Sequence, residues 1–228
     1  MGKSIGSAWG TRVITAAEAT EFAATFTARS SADRSTIARN LTLVPANMLV
    51  RGMFFEGMFR ILSQRLGDRT TDEIRGAAGL PESIVAFREY PHRDFYKLYY
   101  LANYRLHPND AFGTGMYRIA LDFFPIFQRS FLGRTMGALM GDKAESVLPL
   151  RAKAYNVLLR GNSHEATPSG DRALKWKCRV EPVEWYEDTF RGIIEGAVPR
   201  AMHPRLKIET RSRDISEVEA RYEFEIRW

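Results

Sequence analysis

In the last third of the chain, apolar and polar residues alternate one for one. Trp176 and Cys178 are interleaved with Lys175, Lys177 and Arg179, and Tyr222, Phe224, Ile226 and Trp228 with Arg221, Glu223, Glu225 and Arg227. A period of two belongs to a strand with one buried and one wet face. The pattern predicts a hairpin over 156–164 and 172–180, turning near Pro168 to Gly170, and a second strand pair over 205–211 and 218–228. Between them a helix is expected from Trp185 to about Arg200, with Pro204 guarding its exit. The apolar row runs to the last residue, as expected of a finished domain that uses its terminus as core.

Upstream the period changes to three and four, the signature of amphipathic helices. Thr15 and Glu18 fit a capping box, starting a helix with Ala19, Phe22, Ala23 and Phe26 on one face; the polar stretch 30–40 reads as a second short helix. Further helices are expected over 51–66 (Phe55, Met58, Phe59 and Leu62 inward), 70–78, and 91–106 (Phe95, Leu98, Tyr99, Ala102 and Leu106). Runs at 111–124 and 127–141 are separated or kinked at Pro125, and a further turn or short helix follows over 147–155. The fold class is therefore α+β: a helical N-terminal half, then a ββαββ antiparallel four-stranded sheet with helices packed on one face. Residues 1–45 read as a helical extension that docks through Phe22 and Phe26, and 46–228 as a single α+β domain.

Composition narrows the function classes. With 33 Lys and Arg against 27 Asp and Glu the net charge is +6, but the signs are interleaved rather than segregated. A single cysteine, Cys178, excludes a disulfide framework or a cysteine-rich metal site. The first ten residues lack the apolar core of a signal peptide, and the apolar region 111–140 is broken by Arg118, Asp122, Arg129 and Arg134, against the roughly 20 apolar residues of a membrane span. A reducing, cytoplasmic setting is expected.

Several segments resemble an uncharacterised bacterial paralogous family, abundant in myxobacteria and known as a domain of unknown function. They are residues 50–57, 131–140, Gly161-Asn162, Gly192 to Gly196, and the terminal 221–228; the resemblance spans 49–228. That family is similar in turn to the haem-dependent nitric-oxide-sensor domain, the vinyl-reductase-like domain and the TRAPP tethering subunits. The resemblance implies a regulatory module that binds a small hydrophobic ligand, a haem or an acyl chain between helices and sheet, in a fold that tends to dimerise. The sensor domain uses a proximal histidine and a Tyr-x-Ser-x-Arg motif for the haem propionates. No such motif occurs here, and His107 is followed by Pro108 at a helix stop. Haem is accordingly not expected, and no cofactor is assigned; a small apolar ligand or acyl chain is the expected occupant.

The candidate ligand-binding residues are Phe95, Tyr99, Tyr117, Gly133, Gly137 and Trp176. Phe95, Tyr99 and Tyr117 come from crowded helical stripes and Trp176 from the inward face of a strand, and the surplus of tyrosine hydroxyls calls for polar partners or a pocket. Gly133, Gly137 and Gly141 recur every four residues, so they share one helical stripe. Two readings are open for it: tight packing within the fold, or a ligand wall or dimer seam. His92, His107, His164 and His203 are scattered, without metal-ligand spacing, and no catalytic signature appears. The reading is a non-enzymatic cytoplasmic ligand-binding or protein-interaction module, homodimeric, with an apolar pocket between helices and sheet. The alternative is a nucleic-acid or nucleotide-binding regulator using the basic strand face of Lys175, Lys177 and Arg179.

Overall fold

The computed structural model describes residues 13–128, 143–198 and 203–228. Its helices are α1 (Ala16–Ala24), α2 (Ser31–Leu43), α3 (Met53–Leu66), α4 (Asp68–Ala77), α5 (His92–Leu106), α6 (Phe112–Gln128), α7 (Ala144–Leu158) and α8 (Tyr186–Ala197). Its strands are β1 (Leu49–Arg51), β2 (Glu89–Pro91), β3 (Leu159–Arg160), β4 (Ser163–Gly170), β5 (Ala173–Val180), β6 (Lys207–Ile215) and β7 (Ala220–Arg227). This is the expected α+β arrangement, with the four-stranded antiparallel sheet in the order β4-β5-β7-β6.

Alternation sets the register of that sheet. Leu174, Trp176, Cys178 and Val180 of β5 lie opposite Ile226, Phe224, Tyr222 and Ala220 of β7. All eight are buried, and with Leu148 and Ala152 of α7 and Phe190 and Ile194 of α8 they form one apolar core. Burial of each large side chain here contributes roughly 1.5–3 kcal/mol. Trp228 closes the row: its indole Nε1 donates to Glu145 Oε1 (3.1 Å) and its backbone N–H to Arg172 O (3.0 Å). The outer face is an ion-pair lattice, in which Lys175 and Lys177 meet Glu223 and Arg179 meets Glu219.

A second core gathers the helices. Phe26, Ile37 and Leu41 from α1–α2 and their connection join Phe55, Met58, Leu62, Leu98, Tyr100 and Met116. The Thr15–Glu18 capping box forms, with Thr15 N–H donating to Glu18 Oε2 at 2.9 Å. Asn40, fully buried, ties α2 to the body. Its Nδ2 donates to the Tyr100 hydroxyl (3.0 Å), and its Oδ1 accepts from the Glu184 N–H (3.0 Å).

Some boundaries differ from expectation. The strand expected over 156–164 is instead the end of α7, the two-residue β3, a break at Gly161 (φ 97°), and then the start of β4. Glycine permits that left-handed backbone, and Asn156, in the last turn of α7, pairs with the backbone of His164 through both amide atoms. The hairpin turns at Asp171-Arg172, where Arg172 has φ 51°, so Pro168 and Gly170 belong to the strand. Of the two readings at Pro125, separation is not seen: α6 runs through it. A small sheet, β2-β1-β3, was not anticipated; its strands are two or three residues long, too short to show a period. The stripe of Gly133, Gly137 and Gly141 falls outside the described residues.

The close helix contact is elsewhere. A Cβ at Gly192 would run into Tyr117 O and the Ala120 side chain, and one at Gly196 into Leu121 O. This pair, four residues apart on α8, lets the α6 backbone approach and joins the helical core to the sheet layer.

Candidate functional site

Where the two cores meet, they leave a cavity of about 130 Å³. Phe54 of α3, Phe95 and Tyr99 of α5, and Met116 and Phe123 of α6 form its helical side; Tyr155 of α7 and Phe190 and Ile193 of α8 form its sheet side. Phe54 and Phe123 stack at 5.7 Å between centroids, and Phe95 meets Phe54 edge-on at 5.9 Å. These rings contact one another in preferred aromatic geometries and give the cavity a largely apolar wall.

Four buried acidic or basic side chains line the cavity from different elements. His92 opens α5, Arg151 lies on α7, His164 on β4, and Glu181 directly follows β5. All are buried, and Glu181 is fully inaccessible. The Tyr96 hydroxyl donates to Glu181 Oε1, and His92 Nδ1 lies 3.1 Å from the same oxygen. Burial alone would push the Glu181 carboxyl up. His92 and Tyr96 outweigh it and hold the group down at about 2, ionised at neutral pH. Its Oε2 is buried without a hydrogen-bond partner.

His164 has the opposite character. Burial pushes its pKa down to about 4, so the ring is neutral. Its Nδ1 accepts from Trp176 Nε1 (3.3 Å); the ring proton therefore resides on Nε2. That nitrogen is buried and unpartnered. Arg151 Nη1 donates to Ile193 O (3.3 Å), and burial lowers the pKa of its guanidinium. Tyr155, one turn along α7, packs tilted against the His164 ring with centroids 5.2 Å apart.

Of the residues singled out from sequence, Phe95 and Tyr99 lie in this wall. Trp176 stands behind it, orienting His164. Tyr117 lies outside the lining and donates to Glu195 Oε2 (2.9 Å). Gly133 and Gly137 fall outside the described residues. His107 is remote from the cavity and faces Asp110 (3.2 Å) at the end of α5. Cys178 is a core residue whose thiol burial pushes up to about 12. Sequence reasoning missed Arg151, Glu181 and the two cavity histidines; their separations, from 13 to 89 residues along the chain, carry no local motif. Among the described residues no helix is long and apolar enough to cross a membrane.

Residues 45–228 match the family model described as a protein of unknown function (DUF2378). No curated protein matches the chain in sequence. Solved structures do match in shape. An oxygen-binding H-NOX domain related to soluble guanylate cyclases, in its oxygen complex, aligns with a TM-score of 0.63 at 14% identity, over 78% of this chain and 94% of that one. A protein solved for how protein-induced porphyrin distortion modulates haem redox potential aligns at 0.62 and 14%, over 78% and 99%. A variant of the T. tengcongensis H-NOX aligns at 0.55 and 15%, over 78% and 96%. At such identities the likeness is one of fold.

That fold corrects the expectation of no cofactor. The structures that share it include one described by its haem and porphyrin, so a missing Tyr-x-Ser-x-Arg motif does not exclude a haem site. The imidazoles that line the cavity are those of His92 and His164, not that of His107.

Proposed function

The chain belongs to the DUF2378 family, and from that membership and the H-NOX-like fold we propose that it is a sensory, ligand-binding domain. The cavity between the helical core and the sheet layer holds a flat, largely apolar ligand. The observation that carries this reading is the composition of the wall: stacked aromatic faces from both layers around a few buried, oriented polar groups. Ligand sites have this make-up. An occupant would touch α3, α5 and α6 on one side and α7, α8 and β4 on the other. Its binding would thus bias how the two layers sit, which is the thermodynamic requirement for a sensor.

The donor set suits haem. His92 is the imidazole that would meet the iron, because its Nδ1 is held against the Glu181 carboxylate, the arrangement that orients and strengthens metal-bound histidines. Arg151 is a buried cation in the same wall. Haem, when bound, would supply diatomic-gas binding at its iron. The chain's own part is to exclude water with Phe95, Met116 and Phe123, and to hold the imidazole and its carboxylate in register.

The nucleic-acid reading draws less support. Lys175, Lys177 and Arg179 pair with Glu223 and Glu219 across the strand, so their charge is largely spent within the sheet.

Native mass spectrometry of freshly purified protein, followed by haemin addition, tests the proposal. A copurified small molecule, or uptake of one haemin per chain with a Soret band altered by His92→Ala, is the expected result. A chain that arrives empty and takes up neither haemin nor a flat aromatic compound is not this kind of sensor.

A further inference from the structure

Resting on the reading of the cavity as a ligand site, we propose that the ligand carries an N–H donor and a hydrogen-bond acceptor on one flat ring system, the donor meeting Glu181 Oε2 and the acceptor meeting His164 Nε2–H. The chemical class is a heteroaromatic lactam or a related ring amide.

Two cavity residues offer hydrogen-bonding atoms that no described residue meets. Glu181 Oε1 accepts from the Tyr96 hydroxyl and lies 3.1 Å from His92 Nδ1, but Oε2 is buried without a partner among the described residues. The carboxyl is held down at about 2, so at neutral pH this oxygen only accepts. His164 Nε2 is its complement, a buried ring N–H with no acceptor among the described residues. Both groups are held. Tyr96 and His92 engage the carboxylate, while Asn156 clamps the His164 backbone at N (2.7 Å) and O (2.8 Å) and Tyr155 and Trp176 flank its ring. They also stand at one end of one strand pair. His164 is the second residue of β4, its neighbour Ser163 pairs with Arg179, and Glu181 comes two residues after Arg179; the Glu181 charge acts on the His164 ring. A buried donor or acceptor left unmet carries its full desolvation cost, and a ligand with both complements relieves the two at once. An acid would supply acceptors alone and meet the charge of Glu181; a cation would supply donors alone and leave the His164 N–H unmet. Arg151 lines the same wall, so the cavity already holds charge of both signs. Selection therefore lies in the pattern of donor and acceptor, not in net charge. Phe54, Phe95 and Phe123 supply the apolar wall for the ring itself, in a cavity of about 130 Å³, the size that takes a small aromatic molecule.

Isothermal titration of the full chain with three bicyclic probes tests this. 2-Quinolone offers both groups, N-methyl-2-quinolone lacks the donor, and indole lacks the acceptor. The wild-type protein should bind 2-quinolone about tenfold or more tightly than either of the others. Glu181→Gln should bring 2-quinolone and its N-methyl form within about threefold while the preference over indole remains. His164→Phe should do the converse. Equal binding of the three probes overturns the donor–acceptor pattern and leaves the cavity reading intact. So does a preference that survives its own substitution, since size rather than hydrogen bonding would then set it. If none of the three binds but haemin does, the lactam class falls and the cavity reading stands. If haemin fails as well, both fall together. The wild-type ranking requires no variant, so indole or N-methyl-2-quinolone binding as well as 2-quinolone overturns the proposal even if a substitution unfolds the chain.

Discussion

Trp176 Nε1 donates to His164 Nδ1 at 3.3 Å, from one strand of the sheet to its neighbour. The bond ties the state of a cavity residue to the packing of the sheet core, because the same indole is fully buried against Phe190.

His164 should therefore remain neutral well into acid. Its folded pKa is lowered from 6.5 to about 4 by burial, so below pH 6.5 the unfolded chain takes up a proton that the folded chain refuses. Stability is full above 6.5 and declines as pH falls toward 4, by on the order of 3 kcal/mol in all. His107, also lowered by burial, acts in the same sense, whereas the loss from Glu181 falls lower, between its ordinary 4.5 and about 2. Urea unfolding at pH 7 and pH 5 checks this: His164→Phe should flatten the dependence. Imidazole NMR should show the Nε2–H tautomer at pH 5; a charged ring there would refute the assignment.

Gly192 is where α6 and α8 touch. Gly192→Val should destabilise by roughly 1–3 kcal/mol through overpacking against Tyr117 and Ala120. Gly76, in α4, has open space around its Cβ position, and Gly76→Ala should stabilise by about 0.4–1 kcal/mol. Thermal melts of the two variants should move in opposite directions.

Asn40 joins α2 to Tyr100 and Glu184. Asn40→Ala leaves a buried hydroxyl and a part-buried backbone N–H without this partner, and should cost about 2–4 kcal/mol. Tyr100→Phe strands only the amide and should cost less. Equal stability of Asn40→Ala and wild type by denaturant titration would mean that α2 is not anchored through this residue.

Much of the fold was legible because its periods are long enough to read. β5 and β7 each carry four alternating buried residues, and α5 repeats aromatic and aliphatic positions over fifteen residues. β1 to β3 were invisible because two or three residues cannot display a period. The α7–β4 boundary was misplaced because Gly161 and the Asn156 side chain decide it, not hydrophobicity. Phe95 and Tyr99 could be picked out by their helical stripe. Arg151, His164 and Glu181 could not, since each belongs to a different element and they converge only when β4 pairs with β5 and α7 folds back along the sheet. The helix contact was sought at Gly133 and Gly137, whereas Gly192 and Gly196, quoted only as part of a family resemblance, make the close approach among the described residues.

The cavity's role as a binding site is tested most directly by isothermal titration of 2-quinolone into wild type and Ala154→Trp. Ala154 lines the cavity and is half-buried on α7, so an indole there fills the space without entering either core. The account predicts saturable one-to-one binding by wild type, and binding at least about tenfold weaker by a variant with an unchanged melting temperature. Equal affinity in the two proteins, or no saturable binding in wild type, would contradict it.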